Sequence, residues 1–503
     1  MEESKSFKRF LSRNLTLAVF LLLVILLFWY CGAFKLLNER PMGDHAWAQC
    51  DRASVARCYY EYDMNFFRPA THNHMYNPTG IAAGEFPLLP YLAALLYHIV
   101  GPHEVIYRLL VMLSALIATI LGFLLCRRFI RNSIFALMAS LLWLISPNFI
   151  YYSSGFLPES LALCMGLAAF LFLTASFPVL TWKSITGFVI CASLAALNKS
   201  SMLMVIYPVL LPLLIVMFRS AENKRRFVIS SLLLLIPLLF AGAWIAYAGY
   251  LQREYHSYIF LLKPKLPETA GELKIYLNNF RERSQQYYSL AFFLLSALLL
   301  IPSWVMAPKK YRFAGLAALL LFLSWIAFFT LMSRQAWHHG YYHYPFQIMF
   351  MLIFLGFFAG LERFRIRKTP VIIIALVFLV FASWQSVQCA REFRTLAFNH
   401  GLIHPDWGKA EPALEKMGVT RQHQIASYPD VSYNISLYLM NRRGWNLAPD
   451  YRDDTFYDAL SDCDFLVTAD TAILDRPVVK HFIAGPAGTF RGLTVYRLNQ
   501  PQQ

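Results

Sequence analysis

Ten or more apolar runs of membrane-spanning length, separated by short basic loops, constrain this 503-residue chain more than any other feature. The first reaches from about Leu15 to Leu37 behind Lys5, Lys8, Arg9 and Arg13. It is too long for a signal peptide and lacks a small-residue cleavage site, so it reads as an uncleaved span with its N-terminus inside. Further runs lie near 105–125, 133–152, 157–177, 184–198, 200–218, 227–249, 287–306, 313–332, 342–361 and 370–389. Each is close to the ~20 apolar residues that cross a bilayer. Charged residues make up only 15% of the chain and apolar ones 58%. These figures exclude an ordinary soluble enzyme and a disordered chain. The net charge of +16 would suggest nucleic acid in a soluble protein. Here the base sits in loops between spans, where it sets topology instead, and no nucleic-acid partner is expected.

The segment Glu85–Val100 decides the orientation. Its 15 or so residues reach about 22 Å as a helix, short of the ~30 Å hydrocarbon core. If it does not cross, all the basic clusters fall on one side: the N-terminus, Arg127/Arg128/Arg131, Lys183, Arg219/Lys224/Arg225/Arg226, Lys309/Lys310/Arg312 and Arg363/Arg365/Arg367/Lys368. If it crosses, every cluster after the first moves outside, against the positive-inside rule. The expectation is therefore an all-α polytopic membrane domain of about 11 transmembrane helices over 1–389. Its outer loop 38–104 carries interfacial helices, and residues 390–503 form a small extracytoplasmic α/β domain. Within that tail, 424–428, 464–468 and 493–497 read as strands and 431–442 and 453–461 as helices. The protein is placed in a bacterial-type inner membrane, N-terminus cytoplasmic, with membrane lipids around it.

Eight cysteines show no CxxC or zinc spacing. Cys50 and Cys58 would lie about 12 Å apart on a helix, too far for a disulfide.

Polar chemistry gathers in the outer segments. The first loop holds Asp44-His45-Ala-Trp47-Ala-Gln49-Cys-Asp51-Arg, which the spacing of small and apolar residues allows to be an amphipathic surface helix capped by Asp44. Glu85 opens the short apolar segment at the membrane boundary, where a carboxylate is costly unless it is paired or used. Pro158-Glu159 begins a span, a setting that equally suits ordinary helix-start chemistry. Lys199 is the one cation of its outer turn, and Arg334 precedes His338, His339 and His343 between two spans. Acidic groups from three outer segments are thus matched with cations from two others. That set suits one chemistry: a carboxylate takes a proton from an acceptor hydroxyl while cations hold a departing phosphate. Outer-face placement calls for a lipid-borne donor, since soluble nucleotide sugars are cytosolic.

At these residues the chain resembles the GT-C class of membrane glycosyltransferases, in the branch of protein O-mannosyltransferases and lipid A aminoarabinose transferases. The carrying features are Asp44-His-Ala-Trp-Ala-Gln-Cys-Asp-Arg, Val55-Ala-Arg, Glu85-Phe-Pro-Leu, Pro158-Glu159, Lys199 and His339-Gly-Tyr-Tyr-His-Tyr-Pro, in the class's order over about 1–400. The resemblance implies a polyprenyl-phosphate sugar donor, inversion at the anomeric carbon, and a first-loop carboxylate as base. Carried to this chain, the base is Asp44 or Asp51, and Glu85 is a second acidic residue at the acceptor or sugar. Glu159 lines the cavity, and Lys199, Arg334 and the His338, His339 and His343 group meet the donor phosphate. His45, Trp47 and Gln49 join the substrate-binding set. The acceptor is a lipopolysaccharide, another glycan or a protein. The chain departs from the class where an Asp-Glu pair is usual, having Gln49 and Asp51 there, and carries Glu85 where a lysine often stands.

Glu61-Tyr-Asp63 resembles the metal-binding ExD pattern of oligosaccharyltransferases, although a solvated helix end is the favoured reading of so short a match. No cofactor is required on this reading, and a divalent metal on Glu61 and Asp63 is an alternative. His72-Asn-His74 and His338-His339-x-x-x-His343 offer zinc ligands by residue type, but without a carboxylate or Cys at set spacing they are read as hydrogen-bonding histidines. Competing functions are a lipid-linked sugar flippase and an inactive assembly subunit. A transporter would place polar groups at the bilayer midplane, whereas these spans are nearly free of acidic residues.

Overall fold

The computed structural model describes residues 2–257, 260, 264–287, 290–336, 339–364, 368–399 and 404–499. These fall into two compact units: residues 1–36, 109–244 and 263–391 form unit 1, and residues 37–108, 245–262 and 392–503 form unit 2.

Unit 1 is helical, as a chain in hydrocarbon must be when every backbone N–H and C=O needs an internal partner. Among the described residues six helices are long and apolar enough to cross a membrane: Glu104–Phe129, Ser200–Ser220, Lys224–Glu254, Phe313–Leu331, Gly340–Arg363 and Thr369–Leu396. Six shorter apolar helices accompany them, among them Leu15–Tyr30, Ser133–Ile145, Glu159–Leu173, Trp182–Asn198 and Leu290–Val305. Their burial is graded. Gly340–Arg363 is 94% enclosed, whereas Lys224–Glu254 and Thr369–Leu396 are only 22% enclosed and turn Leu239, Ile374 and Val380 outward. The enclosed helix meets Leu290–Val305 at Gly356 and Gly360. A Cβ at either would come within 2.7 Å of Ser303 O and 2.6 Å of Met306 Cβ respectively. Four-residue spacing of small residues brings two backbones together in this way in membranes.

Unit 2 combines the first loop and residues 245–262 with the tail. Its five-stranded sheet comprises β1 (Gln424–Tyr428), β2 (Arg443–Asn446), β3 (Phe465–Thr468), β4 (Ile483–Phe490) and β5 (Leu493–Leu498), in the order β2-β1-β3-β5-β4. β1 runs parallel to both β2 and β3, while β5 is antiparallel to β3 and β4. Phe456, Leu460, Leu466, Val479 and Phe482 form the core under it. Strands β1, β3 and β5 and the helix Asp453–Asp462 lie where the residue pattern puts them. The helix expected over 431–442 is only Ile435–Met440, and it gives way to β2. Two strands carry no alternating apolar signal. β2 is Arg-Gly-Trp-Asn, and β4 contains Gly485, Pro486 and Gly488 with two register breaks. Proline is tolerated there because β4 is an edge strand.

β2 is the other edge, and the first loop covers it. His74 N–H donates to Gly444 O at 2.7 Å and Gly444 N–H to His72 O at 3.0 Å, a parallel bridge. The helix Ala46–Glu61 packs against Leu88–Val100 and against Ile435–Met440. It is not the amphipathic surface helix that its spacing allows. Ala46, Ala48, Cys50, Ala53, Ser54, Ala56, Cys58 and Tyr59 are buried all round it, because small side chains let neighbours approach every face.

Gly444 has φ +144°, and a Cβ there would lie 2.0 Å from Ile425 O. Gly444→Ala is therefore expected to cost at least the ~1–3 kcal/mol of a strained backbone position, seen as a lowered melting temperature of the purified chain. Gly242→Ala, in the helix Ile236–Glu254 with open space around it, serves as the control that loses no stability.

Candidate functional site

The carboxylates of unit 2 stand at the start of the helix Ala46–Glu61 and on the strand-like approach to Leu88–Val100. The turn before the helix is held by Gln49, whose amide donates to Met42 O at 3.3 Å and Asp44 O at 3.2 Å. His45, at φ 55°, begins the helix, so the expected Asp44 cap is displaced by one residue. Asp44 instead places Oδ2 3.0 Å from Nδ1 of the buried His45. Trp47 is half-buried, its ring 6.0 Å from that of His45.

Asp51 lies on the second turn and is 2% exposed. Its Oδ1 is buried with no hydrogen-bond partner, and its Oδ2 is 3.9 Å from Arg52 Nη1. Burial lifts the carboxyl to about 7, against the downward pull of Arg52 and with the help of Asp430 and Glu85. Arg52 is committed elsewhere. It puts Nε and Nη2 onto Glu85 Oε2 at 3.0 and 2.9 Å, and its Nη1 donates to Ala48 O. Three carboxylates of similar chemistry thus differ in setting: Asp44 faces a histidine, Glu85 takes a guanidinium fork, and Asp51 is enclosed in low dielectric. Separation of this kind is how a site assigns proton-transfer roles.

Sequence reasoning left out Arg52 and Asp430. Arg52 stood in the motif beside Asp51, and an arginine in a helix of small buried residues was the available signal. Asp430 had none. It lies in the tail, buried to 1%, with its carboxylate receiving the N–H groups of Ser432 and Ser436.

Unit 1 carries a second polar cluster. Glu159 opens the helix Glu159–Leu173 at 1% exposure, and Lys199 follows the helix Trp182–Asn198 at 5%. Lys199 Nζ is 2.7 Å from Glu159 Oε1. The ammonium also sits 4.9 and 5.0 Å from the ring centroids of Tyr341 and Tyr342, inside cation–π range. A snorkelling lysine would reach water; this one is turned inward. His339 stacks on Tyr342 with centroids 4.9 Å apart. His343 is fully buried, accepting from Trp325 Nε1 at 3.1 Å and stacked on Phe329. The Arg334 side chain and His338 lie outside the described residues.

The ExD carboxylates have other partners. Glu61 Oε1 is 3.5 Å from Arg57 Nη1 and 3.6 Å from Arg421 Nη1, and it accepts from Asn441 at 3.3 Å. Asp63 caps the N–H of Asn65. His72 Nδ1 is 2.6 Å from Ser54 Oγ and its Nε2 is 3.2 Å from Asn441 Oδ1. Among the described residues no three His, Cys, Asp or Glu side chains gather as a metal site requires.

Residues 83–245 match the sequence profile of the dolichyl-phosphate-mannose-protein mannosyltransferase family. Two crystal structures of ArnT from Cupriavidus metallidurans, one apo and one bound to undecaprenyl phosphate, match the whole chain. Each has a TM-score of 0.62 at 12% identity, over 95% of this chain and 97% of that chain. No curated protein matches by sequence. The chain therefore has the GT-C fold that its motifs resemble.

Two predictions follow from these environments. A buried carboxyl raised from 3.8 to about 7 is protonated in the folded state and ionised in the unfolded state between those values, so stability falls as pH rises through that window. Asp51→Asn is accordingly expected to match the parent's melting temperature near pH 4 and to exceed it above pH 7, by scanning fluorimetry. For the buried pair, Glu159→Gln or Lys199→Met alone leaves an uncompensated charge and costs about 3–5 kcal/mol. The double variant E159Q/K199M is expected to recover most of that loss in a thermal-melt cycle.

Proposed function

We propose that this chain is an inverting glycosyltransferase moving a sugar from a polyprenyl-phosphate donor to a hydroxyl of an outer-face acceptor. The observation that carries the reading is Asp51, a buried carboxylate with one free oxygen and an affinity for protons poised near 7. A general base works best with its pKa close to the working pH.

In the proposed step the acceptor O–H proton passes to Asp51 as its oxygen attacks the anomeric carbon. The bond from that carbon to the phosphate oxygen breaks on the opposite side, and its electron pair leaves with the polyprenyl phosphate. A phosphate departs without a general acid, so a single base is enough. Glu85, held by Arg52, orients the acceptor or sugar, while Asp44, His45, Trp47 and Gln49 shape the turn that presents Asp51. Lys199 is the proposed phosphate contact from unit 1, together with Arg334, His338, His339 and His343; Glu159 lines the cavity and keeps Lys199 in place. No metal takes part in this step.

The ArnT structure bound to undecaprenyl phosphate and the family matched by residues 83–245 support the class of donor. Eleven spans, a cytoplasmic N-terminus and an outer C-terminal domain over 390–503 complete the proposal. They rest on the positive-inside distribution of Lys and Arg, and an inner membrane is the proposed location. The acceptor is a lipopolysaccharide, glycan or protein hydroxyl.

The test is transfer from synthetic polyprenyl-phosphate sugars by the purified chain. Asp51→Asn is expected to lower the rate by ~10²–10⁴-fold, the share usual for a positioned base. Asp44→Asn and Glu85→Gln should lower it less. The parent's kcat/KM should rise with pH to a plateau above about 7, on a single ionisation, and EDTA should leave it unchanged. Full activity in Asp51→Asn would move the base to Asp44 or Glu85. Loss of activity in EDTA would replace the metal-free step.

A further inference from the structure

The far end of the helix Ala46–Glu61 borders a second cavity in unit 2. Glu61 is ten residues beyond Asp51, so about 15 Å separates the two along the helix axis at 1.5 Å per residue. The cavity there holds about 710 Å³ and opens to solvent, with Tyr60, Tyr62, His74, Arg421, Gln424 and Arg443 among its walls and Glu61 the one carboxylate among the described residues of its lining. It draws on two parts of the unit, the loop 37–108 and the tail 392–503.

Its charges are unequally satisfied. Arg421 is paired, 3.0 Å from Glu411 and 3.6 Å from Glu61. Arg443 makes no ion pair among the described residues. Its guanidinium lies over the Tyr62 ring, 3.3 Å from the centroid, and its Nε is buried without a hydrogen-bond partner. His74 is 6% exposed. Its Nδ1 meets Gln424 Oε1 at 3.2 Å, its Nε2 is buried without a hydrogen-bond partner, and the residue is part of the cavity wall. Burial, aided by Arg443, pushes His74 down to about 4, so the ring is neutral at pH 7 and offers one donor or acceptor. Tyr60 adds an aromatic face, braced by Tyr97 and His98. A guanidinium without a counter-charge, an aromatic platform, a buried imidazole with a free nitrogen and a side-chain amide are the groups that recognise a sugar bearing an acidic substituent.

We infer that this cleft binds an anionic saccharide, its carboxylate or phosphate held by Arg443 and its hydroxyls by His74 and Gln424. On the transferase reading this saccharide is the part of the acceptor glycan remote from the reacting hydroxyl. The cleft is separate from the Asp51 centre, so binding here needs neither donor nor turnover.

The experiment uses the full chain in nanodiscs of zwitterionic lipid and isothermal titration with two synthetic trisaccharides that differ only in a terminal glucuronate or glucose. The glucuronate form is expected to bind at least tenfold tighter. Arg443→Gln should erase that difference, Arg443→Lys should keep part of it, and Tyr60→Ala should weaken both sugars, with each variant checked for an unchanged melting curve. Asp51→Asn should bind like the parent while losing transfer, which separates this inference from the assignment of the base. Equal affinity for the two sugars, no saturable binding, an undiminished preference in Arg443→Gln, or loss of binding in Asp51→Asn would each overturn it. Displacement of the acidic trisaccharide by phosphatidylglycerol added to the nanodiscs would also overturn it, by assigning the cleft to a lipid headgroup.

Discussion

A helix of small residues carrying four charges can be buried only if something meets each charge, and the helix Ala46–Glu61 sets that condition for unit 2. Arg52 reaches Glu85 at the head of Leu88–Val100, and Arg57 and Arg421 close on Glu61. Asn441, at the end of Ile435–Met440, bonds to both Glu61 and Glu411. Arg40 ties Glu104 to Glu411. Through these pairs the loop and the tail fold as one body, although the paired residues, Arg40 with Glu411 and Glu61 with Arg421 and Asn441, lie far apart in the chain. Two of the carboxylates are met only in part. Asp51 Oδ1 and Glu61 Oε2 are buried without a hydrogen-bond partner, each at a cost of the order of a lost hydrogen bond or more that a purely structural helix would avoid. Costs of this kind collect where a protein does chemistry.

Unit 1 handles charge by the opposite device. Its buried Lys199 and Glu159 neutralise one another at 2.7 Å, and two tyrosine rings share the ammonium. Such a pair adds little net stability, because the Coulomb gain is offset by lost hydration. A place for it in a helical unit with few other buried charges is better explained by a task than by packing. The surrounding helices keep to the rule of the bilayer: apolar residues point outward and small residues face one another at Gly356 and Gly360.

The motifs that resemble GT-C transferases were legible as residues, and their roles were not. Asp44, Asp51 and Glu85 read alike in sequence, as acidic groups near a membrane boundary. Their different surroundings come from His45, Arg52 and enclosure by the tail. His343 stood in the motif with His339, yet it packs between Trp325 and Phe329 while His339 stacks on Tyr342. Glu61 and Asp63 matched a metal pattern, but two arginines and an asparagine meet Oε1 of Glu61 and a backbone N–H meets Oδ1 of Asp63. A three-residue pattern carries no information about which side chains arrive from elsewhere.

What the sequence by itself determined is the class of fold. Apolar length and the distribution of base are summed over whole segments, so hydrocarbon selects helices from them whatever the tertiary detail. Strands β1, β3 and β5 were visible for the same reason, as short apolar runs that a sheet core must bury. Strands β2 and β4 were not. β2 is polar and short, and exists because β1 and the first loop pair on either side of it. β4 is broken by glycine and proline, and is held at the edge by β5. Only the tertiary structure decided that the first loop joins the tail, that Asp51 is enclosed beside Asp430, and that Arg443 faces an open cleft. Each of these depends on contacts between residues far apart in the chain, and burial and charge at such a contact are properties of the pair that no local pattern encodes.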